Sequence, residues 1–214
     1  MQASMITGIV MPKIPDLAES KSMDDSIDML NAKCISLAQE GKHGEAISCY
    51  DEMMKSSGPS YGIANFMKGS VLIGLGEYIR ALECFAESEK TFPDDPDAKI
   101  CKAICNVRLM RKNEALRCIN EALSAAPTEV RILVVASILS FELDDNKKGE
   151  EYIKRAMDIN PYSTYEYWEM AAKGYLDSKD ADSSDKKEIK DLITQNKSLL
   201  KERKKQEEAA RKKK

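Results

Sequence analysis

The chain has 214 residues, 43% apolar and 32% charged, so a packed core is within reach and wholesale disorder is excluded. Its formal charge of −3 conceals an asymmetry: residues 185–214 carry a net +6 and the rest a net −9. No apolar run approaches the ~20 residues that cross a bilayer, and a single histidine, His43, weighs against chemistry that needs a His base or several His metal ligands.

Residues 1–23 read as an N-terminal extension. Met5 to Met11 is apolar but short, and Pro12 and Pro15 interrupt the next stretch, so a secretory signal is not expected; Met5 and Met11 are alternative starts. From residue 24 the sequence repeats. Pro93, Pro127 and Pro161 lie 34 residues apart, and an earlier copy ends at Gly58-Pro59. Ala46, Ala81, Ala115 and Gly149 share one repeat position, and Tyr50, Phe85, Ile119 and Ile153 share the position four later. Small then large at i, i+4 lies on one helix face, where the small residue admits a neighbouring helix. Gly41 and Gly76 precede two of these segments as left-handed helix stops. The other two repeats have Met110 and Asp144 there, so a different turn is expected. A first amphipathic segment lies upstream of each turn, at 24–40, 60–75, 95–110 and 129–142, and each proline falls where a helix must stop.

Residues 164–176 read as a partial fifth unit and 177–184 as a polar linker. Over 185–200, Ile189, Leu192, Ile193, Leu199 and Leu200 make a helical stripe that suits a capping helix. It continues into a charged tail holding Lys201, Arg203, Lys204, Lys205, Arg211, Lys212, Lys213 and Lys214. The carboxylate pairs Asp24–Asp25, Asp94–Asp95 and Asp144–Asp145 fall at helix starts or turns and read as caps. Cys34, Cys49, Cys84, Cys101, Cys105 and Cys118 include no CxxC pair and read as reduced thiols of a cytoplasmic protein. Cys49, Cys84 and Cys118 occupy one position of successive repeats, too far apart to bridge one another. Cys101 and Cys105 share a face but lack further ligands, so no metal and no cofactor is expected.

On these residues the chain resembles a tetratricopeptide repeat (TPR) protein. Repeat two carries Gly76, Tyr78, Ala81, Phe85 and Pro93 in the family pattern; repeat three keeps Ala115, Ala122 and Pro127, and repeat four Ala156 and Pro161. The usual tryptophan is replaced by Leu30, Asn65, Lys99 and Leu133. The resemblance implies an all-α fold, a right-handed α-solenoid of about four helix-turn-helix units at 27–60, 62–95, 96–129 and 130–163. It also implies a concave groove lined by the first helix of each unit. Ile35, Phe66, Ile73, Ile100, Ile104, Val107, Val134, Ile138 and Phe141 are the apolar residues assigned to that groove. A solvated face of this kind exceeds what a monomer normally exposes. A partner helix or peptide, the chain's own residues 5–17, or ordinary inter-helix packing are the three readings of what covers it.

The family's clamp for the acidic C-termini of Hsp70 and Hsp90 chaperones is not matched. Asn31, Ile35, Met67, Asp97 and Cys101 stand where Lys, Asn, Asn, Lys and Arg are needed. No Gly-rich phosphate loop, GxSxG or HExxH motif occurs. The sequence therefore points to a non-enzymatic protein-interaction scaffold or adaptor. The alternatives are a nucleic-acid- or ribosome-associated factor docked through the basic tail, and a self-associating homo-oligomer.

Overall fold

Helices can approach closely only where one of them offers a small side chain, and the order of this structure is set by those positions. The computed structural model describes residues 25–55, 58–177 and 183–211. Among them every regular element is an α-helix: α1 (Asp25–Gln39), α2 (His43–Met53), α3 (Pro59–Gly74), α4 (Tyr78–Thr91), α5 (Pro96–Arg108), α6 (Lys112–Ala125), α7 (Val130–Glu142), α8 (Asn146–Ile159), α9 (Pro161–Asp177) and α10 (Ser183–Arg211). This is the all-α repeat architecture expected from the sequence, with four helix pairs, a fifth first helix and a long charged C-terminal helix.

The chain divides into two compact units at Pro127, within the stretch that the sequence presents as one solenoid. In the first, α1 pairs with α2, α3 with α4 and α5 with α6, while α2 packs on α3 and α4 on α5. Two ion pairs reinforce the steps between repeats: Lys68 of α3 to Asp51 of α2 at 2.5 Å, and Lys102 of α5 to Glu89 of α4 at 2.6 Å. In the second unit α7 pairs with α8, α9 packs on both, and α10 packs on α9. Ile189 and Ile193 of α10 are buried with Ala172, and Trp168 and Leu176 pack against them. Lys197 reaches back from α10 to Glu169 at 2.9 Å. The side chains of Leu192 and Leu199, also expected in this stripe, lie outside the described residues, as does the N-terminal extension.

All four hairpin turns are built alike, which corrects the expectation for the last two. Gly41 and Gly76 have φ of 76° and 75°, and Met110 and Asp144 have φ of 58° and 59°. The hydrogen bonds repeat as well. In the first turn the Gly41 and Lys42 amides donate to the carbonyls of Ala38 and Leu37 at 3.1 and 2.9 Å, and in the third those of Met110 and Arg111 donate to Val107 and Asn106 at 3.0 and 2.8 Å. This double closure satisfies the orphan carbonyls of the first helix. The backbone geometry therefore outranks the residue. A non-glycine in this conformation costs about 1–2 kcal/mol, and Met110, 89% exposed, shows no packing that offsets it.

In the first two pairs the middle of the first helix meets the middle of the second at Cys34–Cys49 and at Gly69–Cys84. A Cβ added to Gly69 would stand 2.9 Å from the Phe85 ring and 3.2 Å from the Cys84 Cβ, so α3 and α4 are in contact through the glycine. The large residues that come after the small ones fill the interior: Tyr50, Phe85 and Ile119 are buried, and Ile153 is half-buried. In the first pair both facing positions are cysteine, and Cys34 and Cys49 form a disulfide with a Cα–Cα distance of 5.5 Å. The expectation of six reduced thiols is corrected for these two. The comparison that matters is within a hairpin rather than between repeats. Cys84, Cys101, Cys105 and Cys118 are free and buried.

Caps are mixed. Asp95 accepts from the Asp97 amide at 3.0 Å and Asp145 from the Lys148 amide at 3.3 Å, as expected. Asp144 is instead the left-handed turn residue. Asp24 lies outside the described residues, as does the side chain of Asp25. Asn160, unassigned by sequence, caps α9 by accepting from the amides of Tyr162 and Ser163 at 3.0 and 3.1 Å.

The bridge and the strained turn are both open to measurement. The Cys34–Cys49 bond spans 15 residues of sequence, so Cys34→Ser should cost about 3 kcal/mol in denaturant melts without reductant. Adding reductant to the parent protein should bring the two curves together. Met110→Gly should raise stability by roughly 1 kcal/mol, since the relief of left-handed strain exceeds the added freedom of the unfolded chain.

Candidate partner-binding site

The nine residues assigned to the groove are mostly interior. Phe66, Ile100, Ile104 and Val107 in the first unit, and Val134 and Ile138 in the second, are buried; Ile35 and Ile73 are half-buried. Phe66 belongs to the core cluster of the first unit, and its ring meets Phe85 edge-on with centroids 5.7 Å apart. Phe141 is 41% exposed. Its ring lies over Gly149 of α8, 2.7 Å from where a Cβ would stand. It therefore fills the space that an alanine takes in the other three repeats, and it is a packing residue of its own hairpin. Residues 5–17, the proposed self-filling segment, lie outside the described residues.

A cavity opens beside two first-helix residues of the first unit. Its volume is about 370 Å³, and Ile63 and Phe66 of α3 form one wall. Ser88 and Thr91 at the end of α4 form another, and Phe92, Pro93, Asp94 and Asp95 close the rim. The sequence places this geometry here because Pro93 ends α4 and Pro96 starts α5, with the chain turning tightly between them. A Cβ on Gly62 would meet both Phe92 and Thr91 at 2.7 Å. That close approach holds the α4 terminus against the start of α3. The lining combines apolar side chains with the carboxylates of Asp94 and Asp95.

One polar atom in it stands out. The Ser88 hydroxyl is buried and has no hydrogen-bond partner among the described residues. A buried hydroxyl left unpaired costs about 1–3 kcal/mol; at 0% exposure it is sealed from the open space, so this is a local cost of the α4 packing. Sequence reasoning assigns Phe66 to the binding face but does not reach Ser88, Thr91 or Phe92. The available signal is the Thr-Phe-Pro ending of the second repeat, which by itself reads only as a helix stop.

The other candidates separate clearly. Burial pushes the Cys105 thiol up to about 12 and raises those of Cys84 and Cys118, so their thiolates are disfavoured. No group of three or more His, Cys, Asp or Glu among the described residues is arranged to hold a metal ion. His43 opens α2 and is half-buried. In the tail, Lys201, Lys204 and Lys205 are exposed on α10. The side chains of Arg203 and Arg211 lie outside the described residues, as do Lys212, Lys213 and Lys214. No described helix is long and apolar enough to cross a membrane.

No protein-family profile matches the chain, and no curated protein matches it significantly in sequence. Solved structures do match in fold. The structure of MamA from residue 41 to its end, from Desulfovibrio magneticus RS-1, is 19% identical. The match covers 85% of this chain and 98% of that one, with a TM-score of 0.57. A thermophilic TPR protein of Thermus thermophilus, TTC0263, is 14% identical over 81% of this chain and 99% of its own, with a TM-score of 0.56. By this likeness, and by the paired helices, shared turns and small-on-large contacts that carry it, the chain has the tetratricopeptide-repeat fold.

Proposed function

We propose that this protein is a non-enzymatic interaction module whose first unit binds a segment of a partner protein. The supporting observation is the cavity at the α3–α4–α5 junction, whose lining brings Ile63 and Phe66 of α3 together with Phe92 and Pro93. Its volume of about 370 Å³ lies at the small end of the range of ligand pockets, which begins near 300 Å³, and admits an apolar side chain. Asp94 and Asp95 in the lining favour a cation beside that anchor. The occupant in this reading is a partner segment with Leu, Phe or Trp next to Lys or Arg. Apolar anchoring in a concave site with charged flanks is the usual logic of helix or peptide recognition.

A displayed random-peptide library selected against the full chain tests the reading. Enriched peptides should carry an aromatic or Leu anchor flanked by Lys or Arg, and should shift the Ile63 methyl resonance. Asp94→Trp, a bulky ring at an exposed lining position, should reduce their affinity several-fold with helicity unchanged. Asp94→Lys, an exposed substitution, should weaken them by several-fold and more so at low salt. Enrichment of unrelated peptides, equal binding to both variants, or peptides displaced by a second copy of the chain would overturn it.

A further inference from the structure

The lysines of α10 are not spread around the helix. At about 100° per residue, Lys186, Lys187, Lys190, Lys197, Lys201, Lys204 and Lys205 all fall within one arc of roughly 100°. Between 186 and 205 no Asp or Glu enters that arc; Glu188, Asp191 and Glu202 fall outside it by the same count. The arc runs beside the stripe of Ile189 and Ile193 that packs on α9. It is therefore held in a fixed orientation on its unit. Six of the seven lysines are exposed and Lys186 is half-buried. Lys197 pairs with Glu169, while the other six make no ion pair among the described residues. By helical rise the stripe is about 29 Å long.

We infer that this lysine stripe is a docking rail for the phosphate backbone of a single-stranded nucleic acid, independent of the cavity in the first unit. Lysine supplies point charge without the fork that reads a base edge. Thr194 is the one other polar residue on the arc, and no aromatic is available for stacking. The contact is thus electrostatic and blind to sequence. One feature disfavours an anionic bilayer. Ile189 and Ile193, which a membrane-lying helix would insert, are already packed on α9.

The test is fluorescence anisotropy of the full chain with a labelled mixed-sequence RNA oligonucleotide across a salt series. Six phosphate contacts give a log–log slope of about −4, or roughly a 300-fold loss between 50 and 200 mM salt. Replacing Lys186, Lys187, Lys190, Lys201, Lys204 and Lys205 by Gln should abolish binding with the circular dichroism unchanged. If that variant loses helix, each three-lysine half should still lower the slope by about 2. Asp191→Asn with Glu202→Gln, off the arc, should bind as well as the parent or more tightly. Three results overturn the rail: no RNA binding at low salt, binding that survives the six substitutions, or sedimentation with phosphatidylserine vesicles in place of RNA binding.

Discussion

The contact on which the rest depends is that of a small residue against a large one between paired helices. At Gly69 the backbone of α3 lies directly on the Phe85 ring, and Phe85 in turn meets Phe66. Once that distance is set, the end of α4 is carried to the start of α3, and the chain has only a few residues in which to turn into α5. The cavity lined by Ser88 and Phe92 is what remains at that corner. A bulkier residue at position 69 would separate the helices and dissolve the site along with the core.

The same position is solved four ways in one chain. Repeat one bridges it covalently with Cys34 and Cys49. Repeat two leaves Gly69 open for a ring. Repeat three has Ala103, fully buried like Cys118. Repeat four places Ser137, whose hydroxyl donates to the Gly149 carbonyl at 2.7 Å, while Phe141 covers that glycine. Close packing demands a volume, not a residue type. This is why the repeats diverge in sequence while the helix pairs keep one geometry.

That principle also explains which features are legible in the sequence. The period of the prolines and the small-large spacing are enough for the helix pairs and their order, and the apolar stripe over 185–200 for the long C-terminal helix, because each is a local or nearest-neighbour demand. The turns at Met110 and Asp144 escape a reading that treats glycine as a requirement. There the helix-closing hydrogen bonds outweigh about 1–2 kcal/mol of strain. The disulfide escapes a comparison of cysteines along the stack, because it forms across a hairpin. The site is half legible. Phe66 comes from the repeat register, but Ser88, Thr91 and Phe92 lie on the second helix and its exit, where register carries no rule about a cavity. Register assigns Phe141 to the binding face but not its contact with Gly149, which is a pair property.

The Cys34–Cys49 bond has a mechanical consequence. It ties the middle of α1 to the middle of α2, so the first hairpin is a closed ring of chain. Tension applied to the N-terminus passes from residue 34 to residue 49 through sulfur. The turn at Gly41 and the helical residues on either side of it never come under load. An unfoldase or a motor pulling on this end would strip α1 up to Cys34, pass the load to α2 beyond Cys49, and have to thread a doubled strand. Of the four helix pairs, the first is the one in which directional pulling leaves 15 residues' worth of chain locked out of the extension.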